Sequence, residues 1–245
     1  MTQTVRIAMW SGPRNISTAM MRSFENRTDC AVVDEPFYAA YLAETGLDHP
    51  MRDEVLASQA QDWRAVADGL VTEEPAPVFY QKQMTHHMLP DFGLEWTGAC
   101  RNAFLIRDPA AVLASYIQKR AEVTLEDIGV VRQHELFERE ADRLGHGPPV
   151  VEGADVLADP RGTLSALCAA LAIPFREEML SWPAGPRASD GVWAPAWYEA
   201  VERSTGFSAP ERKTAAALTD DLKRIADQAR PHYEALARWK LATAS

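Results

Sequence analysis

Five short apolar runs, with helix-length amphipathic stretches between them, constrain this chain most. They are VRIAMW (5–10), CAVVD (30–34), PVFYQK (77–82), NAFLIR (102–107) and PPVVEG (148–153). Continuous runs rich in β-branched and aromatic residues mark strands buried on both faces, as in a parallel sheet. The intervening patterns predict crossover helices at 17–27, 51–69, 109–121 and 131–144, with Ser17 or Thr18 able to cap the first and Pro109 in the first turn of the third. The fold class is therefore α/β, a central parallel sheet of about five strands flanked by helices, with ligands expected at the carboxyl ends of the strands. Residues 159–175 predict a further helix stopped near Pro174. Residues 181–210, dense in Trp, Gly, Pro and Ser, read as a long loop or short helices. Leu218, Leu222, Ile225, Ala229 and Leu236 give a helical period to a tail over about 210–240, interrupted at Pro231. With no repeat or linker, the expectation is a single domain over 1–245.

The chain has 245 residues and a net charge of −10, which argues against wholesale nucleic-acid binding but leaves room for a local basic pocket. Cys30, Cys100 and Cys168 lie far apart, outside any CxxC or Cys/His spacing. They read as small buried residues in a reducing compartment, with no metal site. VRIAMW is too short for a signal peptide, and no apolar run approaches the roughly 20 residues of a membrane span. The expected setting is cytoplasmic.

Two constellations carry chemistry. After the first run, Ser11-Gly12-Pro13-Arg14 leads into Ser17 and Thr18 at the start of a helical pattern. Such a turn exposes backbone N–H groups at the positive end of a helix, and Arg14 adds a permanent charge, so an anionic ligand fits. An ordinary strand-to-helix turn is the plain alternative. The loop lacks the GxxxxGK[ST] of a nucleoside-triphosphate cradle, although AVVDE (31–35) ends in two acids that a magnesium-dependent kinase would use. In RDPAAVLASY (107–116), Arg107 at a strand end and Ser115 two turns into a helix can face one crevice and grip a phosphate. Pairing of Arg107 with Asp108, leaving Ser115 exposed, is the competing reading.

Taken together, these segments resemble the sulfotransferases that use 3′-phosphoadenosine 5′-phosphosulfate (PAPS), whose architecture is like that of P-loop NTPases. Pro13-Arg14-Asn15-Ile16-Ser17-Thr18 is similar to the family's P-[K/R]-S-G-T-[T/S] loop, which binds the 5′-phosphosulfate. Arg107-Asp108-Pro109 with Ser115 is similar to its R-[D/N]-P-x5-S segment, which holds the 3′-phosphate, and 150–175 resembles the strand-acid-helix segment that follows. The resemblance implies metal-independent transfer of a sulfuryl group from PAPS to a hydroxyl or amine of a small-molecule acceptor. It makes Lys82 in YQKQMTHHMLP (80–90) a sulfate-side cation and His86 or His87 a candidate base, with Glu35 of DEPFY the rival base, ranked slightly first. Arg187, among Gly191, Trp193, Trp197 and Tyr198, becomes a third anion contact, and those aromatics either line the ligand or form a small core pinning the C-terminal helix.

One departure stands out. Asn15-Ile16 occupies the place of the family's Ser-Gly, and a β-branched Ile adopts positive φ poorly, so Gly12 and the helix N–H groups are left to form the cradle. A nucleotide-dependent kinase and a non-catalytic nucleotide-binding protein of the same fold stay open as alternatives.

Overall fold

The computed structural model describes residues 4–118, 122–208 and 218–242. In chain order the regular elements begin β1 (Val5–Ser11), α1 (Ser17–Glu25), β2 (Cys30–Asp34), α2 (Tyr38–Thr45), α3 (Arg52–Ser58), α4 (Trp63–Thr72) and β3 (Val78–Met84). They continue with β4 (Arg101–Ile106), α5 (Pro109–Tyr116), α6 (Val130–Leu144), β5 (Val150–Glu152), α7 (Gly153–Ala158), α8 (Pro160–Ala170), α9 (Ala194–Trp197), α10 (Glu199–Glu202) and α11 (Asp220–Ala237). The strands form one five-stranded sheet in the order β2-β3-β1-β4-β5. β2 runs parallel to β3 with Asp34 opposite Lys82, and β4 runs parallel to β5 with Ile106 opposite Glu152. Every residue of β3 is buried, the polar Gln81, Lys82 and Gln83 as fully as the apolar residues around them.

The contacts divide the chain into two compact units. One holds Met1–Met9, Thr18–Asn102 and Arg176–Gly206; the other holds Trp10–Ser17, Ala103–Phe175 and Phe207–Ser245. In the first, Tyr38, Tyr41, Leu42, Val55, Trp193 and Tyr198 form a buried cluster. The late aromatics Trp193 and Tyr198 thus belong to a small core with α2 and α3. In the second unit that helix, α11, packs through Ala226 and Ala229 against Val112, Leu113 and Val130 of α5 and α6. Leu241 N–H then donates to Val150 O at 2.9 Å.

The expected 51–69 helix is two helices. Gln59 leaves the helical conformation (φ −135°, ψ 161°), and Asp62 caps α4 by accepting from Arg64 N–H. Helix α2 went unread, although Gly46 ends it in a left-handed cap (φ 66°) that bonds back to Leu42 O. α1 begins at Ser17, which puts that hydroxyl in the first turn rather than at the cap. α8 ends at Ala170, short of the expected 175. α11 passes through Pro231 without interruption. Residues 119–121 of the expected third helix, and 209–217 of the tail, lie outside the described residues.

Candidate functional site

The second unit holds the anion-loop residues. Gly12 is required by close approach, since a Cβ there would stand 2.5 Å from the carbonyl oxygen of Ile128. The left-handed position of the loop is Arg14, at φ 55°, and not Ile16. This resolves the Asn15-Ile16 departure, because positive φ is not demanded of the β-branched residue. Asn15 instead ties the loop down: Nδ2 donates to Leu105 O at 3.1 Å, and Oδ1 accepts from Ile16 N–H at 2.9 Å. Gly153 leaves room for that amide, since a Cβ there would lie 2.8 Å from Asn15 Oδ1. Buried Gln133 donates to Trp10 O at 3.1 Å and Leu105 O at 3.0 Å, fixing the end of β1 beside β4.

The two arginines meet in this loop. Arg14 Nε donates to Ser115 Oγ at 3.1 Å, and Arg107 Nη1 donates to the carbonyl of Arg14. The pairing of Arg107 with Asp108 is replaced by other bonds: Asp108 caps α5 by accepting from Ala111 N–H at 3.1 Å and pairs with Arg230 at 3.3 Å. Partial burial lowers the pKa of both Arg14 and Arg107, and for Arg107 the adjacent Arg14 lowers it further. Among the described residues neither guanidinium forms an ion pair with a carboxylate. Gly12, Pro13, Asn15, Arg107, Gln133 and Tyr233 line a cavity beside them. Like charges held close together beside a cavity suit an anion.

In the first unit, β2 ends in Asp34 and Glu35, and β3 carries Lys82. Lys82 is no solvated strand-end lysine; it is 1% exposed. Its ammonium donates to Asp34 Oδ1 at 2.9 Å, Glu35 Oε1 at 2.8 Å and the Tyr198 hydroxyl at 2.5 Å. The Tyr198 hydroxyl donates in turn to Asp34 Oδ2 at 2.7 Å, which also accepts from Gly191 N–H at 3.1 Å. Both acids of the AVVDE run are therefore directed onto Lys82. Glu35 sits at φ 43°, a left-handed conformation costly for a non-glycine residue. Its backbone is held by Lys82 O, Tyr38 N–H and Gln59 Nε2.

Burial raises the Glu35 pKa above the usual carboxylate range, against the pull of Lys82, and Asp34 raises it further. Burial opposes the charge on Lys82, but Asp34, Glu35 and Tyr198 outweigh it and carry its pKa well above the ordinary value. His87 lies stacked on Tyr38 and Tyr41, its Nε2 3.9 Å from Glu35 Oε2. Burial, with His86, His49 and Lys82 nearby, drives its pKa well below the usual value and keeps it neutral. His86 stands edge-on to His87 and Tyr41.

Arg187 belongs to this unit, where its guanidinium donates to Pro183 O at 3.1 Å and its N–H to Asp190. Thr18 also falls here, one residue beyond the loop. Sequence reasoning did not assign Tyr198, Asp34 or Gln59 to the Glu35–Lys82 pair. Tyr198 stood out only as an aromatic, and nothing in the sequence ties its hydroxyl to a lysine 116 positions away.

A family model described as a sulfotransferase domain matches residues 5–239. Two curated Arabidopsis thaliana proteins, branched-chain-amino-acid aminotransferase-like proteins 1 and 2, are 38% and 36% identical over 84% of this chain, which spans 37% of their own length. Solved structures of the sulfotransferase domain from the curacin biosynthetic pathway and of that from the Synechococcus PCC 7002 olefin synthase each superpose with a TM-score of 0.53 at 17% identity. They cover 93% and 92% of this chain, and 98% and 94% of those chains, and share the fold. The chain belongs to the sulfotransferase domain family.

Proposed function

We propose that the protein transfers a sulfuryl group from PAPS to a hydroxyl or amine of a small molecule. The observation that carries this reading is the pair Arg14 and Arg107, half-buried and linked through the Arg14 carbonyl, with no ion pair to a carboxylate among the described residues, Asp108 acting on Arg107 only from beyond ion-pair distance. Such a pair needs an anion of its own, and PAPS bears one at each end of a nucleoside. Arg14, with the 12–18 backbone and the Ser17 and Thr18 hydroxyls, would hold the 5′-phosphosulfate. Arg107 and Ser115 would hold the 3′-phosphate.

When bound, PAPS supplies the sulfuryl group. Glu35 would take the proton of the acceptor as its oxygen or nitrogen bonds to sulfur, and the bridging oxygen leaves with adenosine 3′,5′-bisphosphate. Glu35 suits this role better than His87, because burial makes its carboxylate more basic than usual, whereas burial makes His87 resist protonation. Charge on the sulfuryl oxygens would be met by arginine, with no metal in the scheme. A cytoplasmic setting is part of the reading. It is supported by three free cysteines, with the Cys30 thiol pushed up to about 12 by burial, and no helix of the described residues is long and apolar enough to cross a membrane.

The test is calorimetric titration of adenosine 3′,5′-bisphosphate into the wild type and Arg107→Ala. Tight binding by the first and weak binding by the second is the expected result. No binding, or equal binding by both, overturns the assignment.

A further inference from the structure

We infer that Lys82 and Tyr198, with Asp34, are positioning residues that clamp Glu35 and do not touch the sulfuryl group. The inference rests on the reading of Glu35 as the base, and it reassigns Lys82 from the sulfate-side role that the family resemblance implies.

The argument starts from donor count. An ammonium has three N–H bonds, and those of Lys82 meet three acceptors: Asp34 Oδ1, Glu35 Oε1 and the Tyr198 oxygen. The hydroxyl of Tyr198 is equally committed, donating to Asp34 Oδ2 and accepting from Lys82 and from Trp193 Nε1 at 3.0 Å. Its ring also lies under the ammonium, 4.8 Å from centroid to Nζ. To reach a sulfate oxygen, Lys82 would have to break one of these buried bonds and leave a carboxylate or phenol uncompensated. The segment bearing Tyr198 has two further anchors. Arg22 of α1 pairs with Asp190 at 2.7 Å, and Gly191 N–H bonds Asp34.

For Glu35 the consequence is orientation. Oε1 is fixed by Lys82, and the other oxygen, Oε2, faces His87. The titratable groups that face it are Lys82 on β3, Asp34 beside it, Tyr198 from the late segment and His87 after β3. The Tyr198 hydroxyl acts through its partners: it holds Lys82 and Asp34 in place, and Lys82 so held favours the ionised form of Glu35.

Tyr198→Phe removes that hydroxyl and keeps the ring. The glutamate side-chain carboxyl carbons are labelled with 13C, and the Glu35 signal is followed by NMR titration in the wild type and the variant. Glu35 is expected to titrate at higher pH in Tyr198→Phe. The acid limb of kcat/KM should move with it, kcat should fall about tenfold or more, and binding of adenosine 3′,5′-bisphosphate should be unchanged. A folded variant with unaltered Glu35 titration overturns the clamp. If the wild type transfers no sulfuryl group, the proposed function fails, while the NMR titration still decides the clamp.

A second measurement needs no variant. Acetic anhydride labelling read by mass spectrometry should leave Lys82 unmodified while modifying Lys223, which is exposed, whether or not adenosine 3′,5′-bisphosphate is present. A Lys82 that labels as readily as Lys223 and is shielded by the bisphosphate overturns the inference.

Discussion

Arg14 Nε donates to Ser115 Oγ at 3.1 Å, across 101 positions of sequence. This bond joins the first anion motif to the second within one compact unit. Ser115 is thus placed to orient Arg14 in the absence of ligand, and Arg107 holds the Arg14 backbone from the other side. Arg107→Ala should weaken adenosine 3′,5′-bisphosphate binding about 10- to 100-fold, the value of one charge-assisted contact of roughly 1.5–3 kcal/mol. Ser115→Ala should cost less, because the guanidinium keeps its charge. Calorimetry at fixed salt measures both.

Glu35→Gln should lower kcat by about 10²- to 10⁴-fold while leaving bisphosphate affinity intact. The wild type needs Glu35 ionised. Because its pKa is raised, activity should fall with decreasing pH at a point above the ordinary carboxylate range. A pH profile of kcat/KM locates that limb, and its persistence in Glu35→Gln would assign it to another group.

Loop geometry makes opposite predictions for its two special positions. Gly12→Ala places a Cβ against the Ile128 backbone at 2.5 Å, so the loop must shift; a stability loss of about 1–3 kcal/mol and loss of bisphosphate binding are expected. Ile16→Gly, which restores the family's glycine, should bring no gain in affinity, since the left-handed residue is Arg14. It should cost about 0.5–1 kcal/mol in backbone entropy. Denaturant unfolding and calorimetry on the two variants test both statements.

His87 gives the protein a stability slope on the acid side. Its folded pKa lies below the unfolded value of about 6.5, so the unfolded chain binds the proton first. Its contribution is complete above that pH and is lost as the pH falls, at up to about 1.4 kcal/mol per unit. His87→Phe keeps a ring between Tyr38 and Tyr41 and should flatten this slope. Thermal unfolding followed from about pH 7.5 down to about 5 measures it.

Local patterns carried the strands. The β2 run matches its strand at both ends, because a short apolar run with β-branched residues favours extended pairing even at the half-buried edge of the sheet. Helix breaks were less legible. Gln59 has no intrinsic need to leave a helix, and its extended backbone is explained by its side chain, which bonds Ala39 N–H, Asp34 O and Glu35 O. That demand comes from distant residues.

The sequence by itself determined the alternation of strands and helices, which depends on residue type and on spacing within one element. It made 11–18 and 107–115 candidates for an anion, and the family resemblance made Glu35 a candidate base. Only tertiary structure decided that Arg14 takes the strained conformation in place of a glycine, that Ser115 meets Arg14, and that Lys82 is closed off by Asp34, Glu35 and Tyr198. Those outcomes follow from satisfying buried charges and hydrogen-bonding groups, which requires partners the chain brings together only on folding.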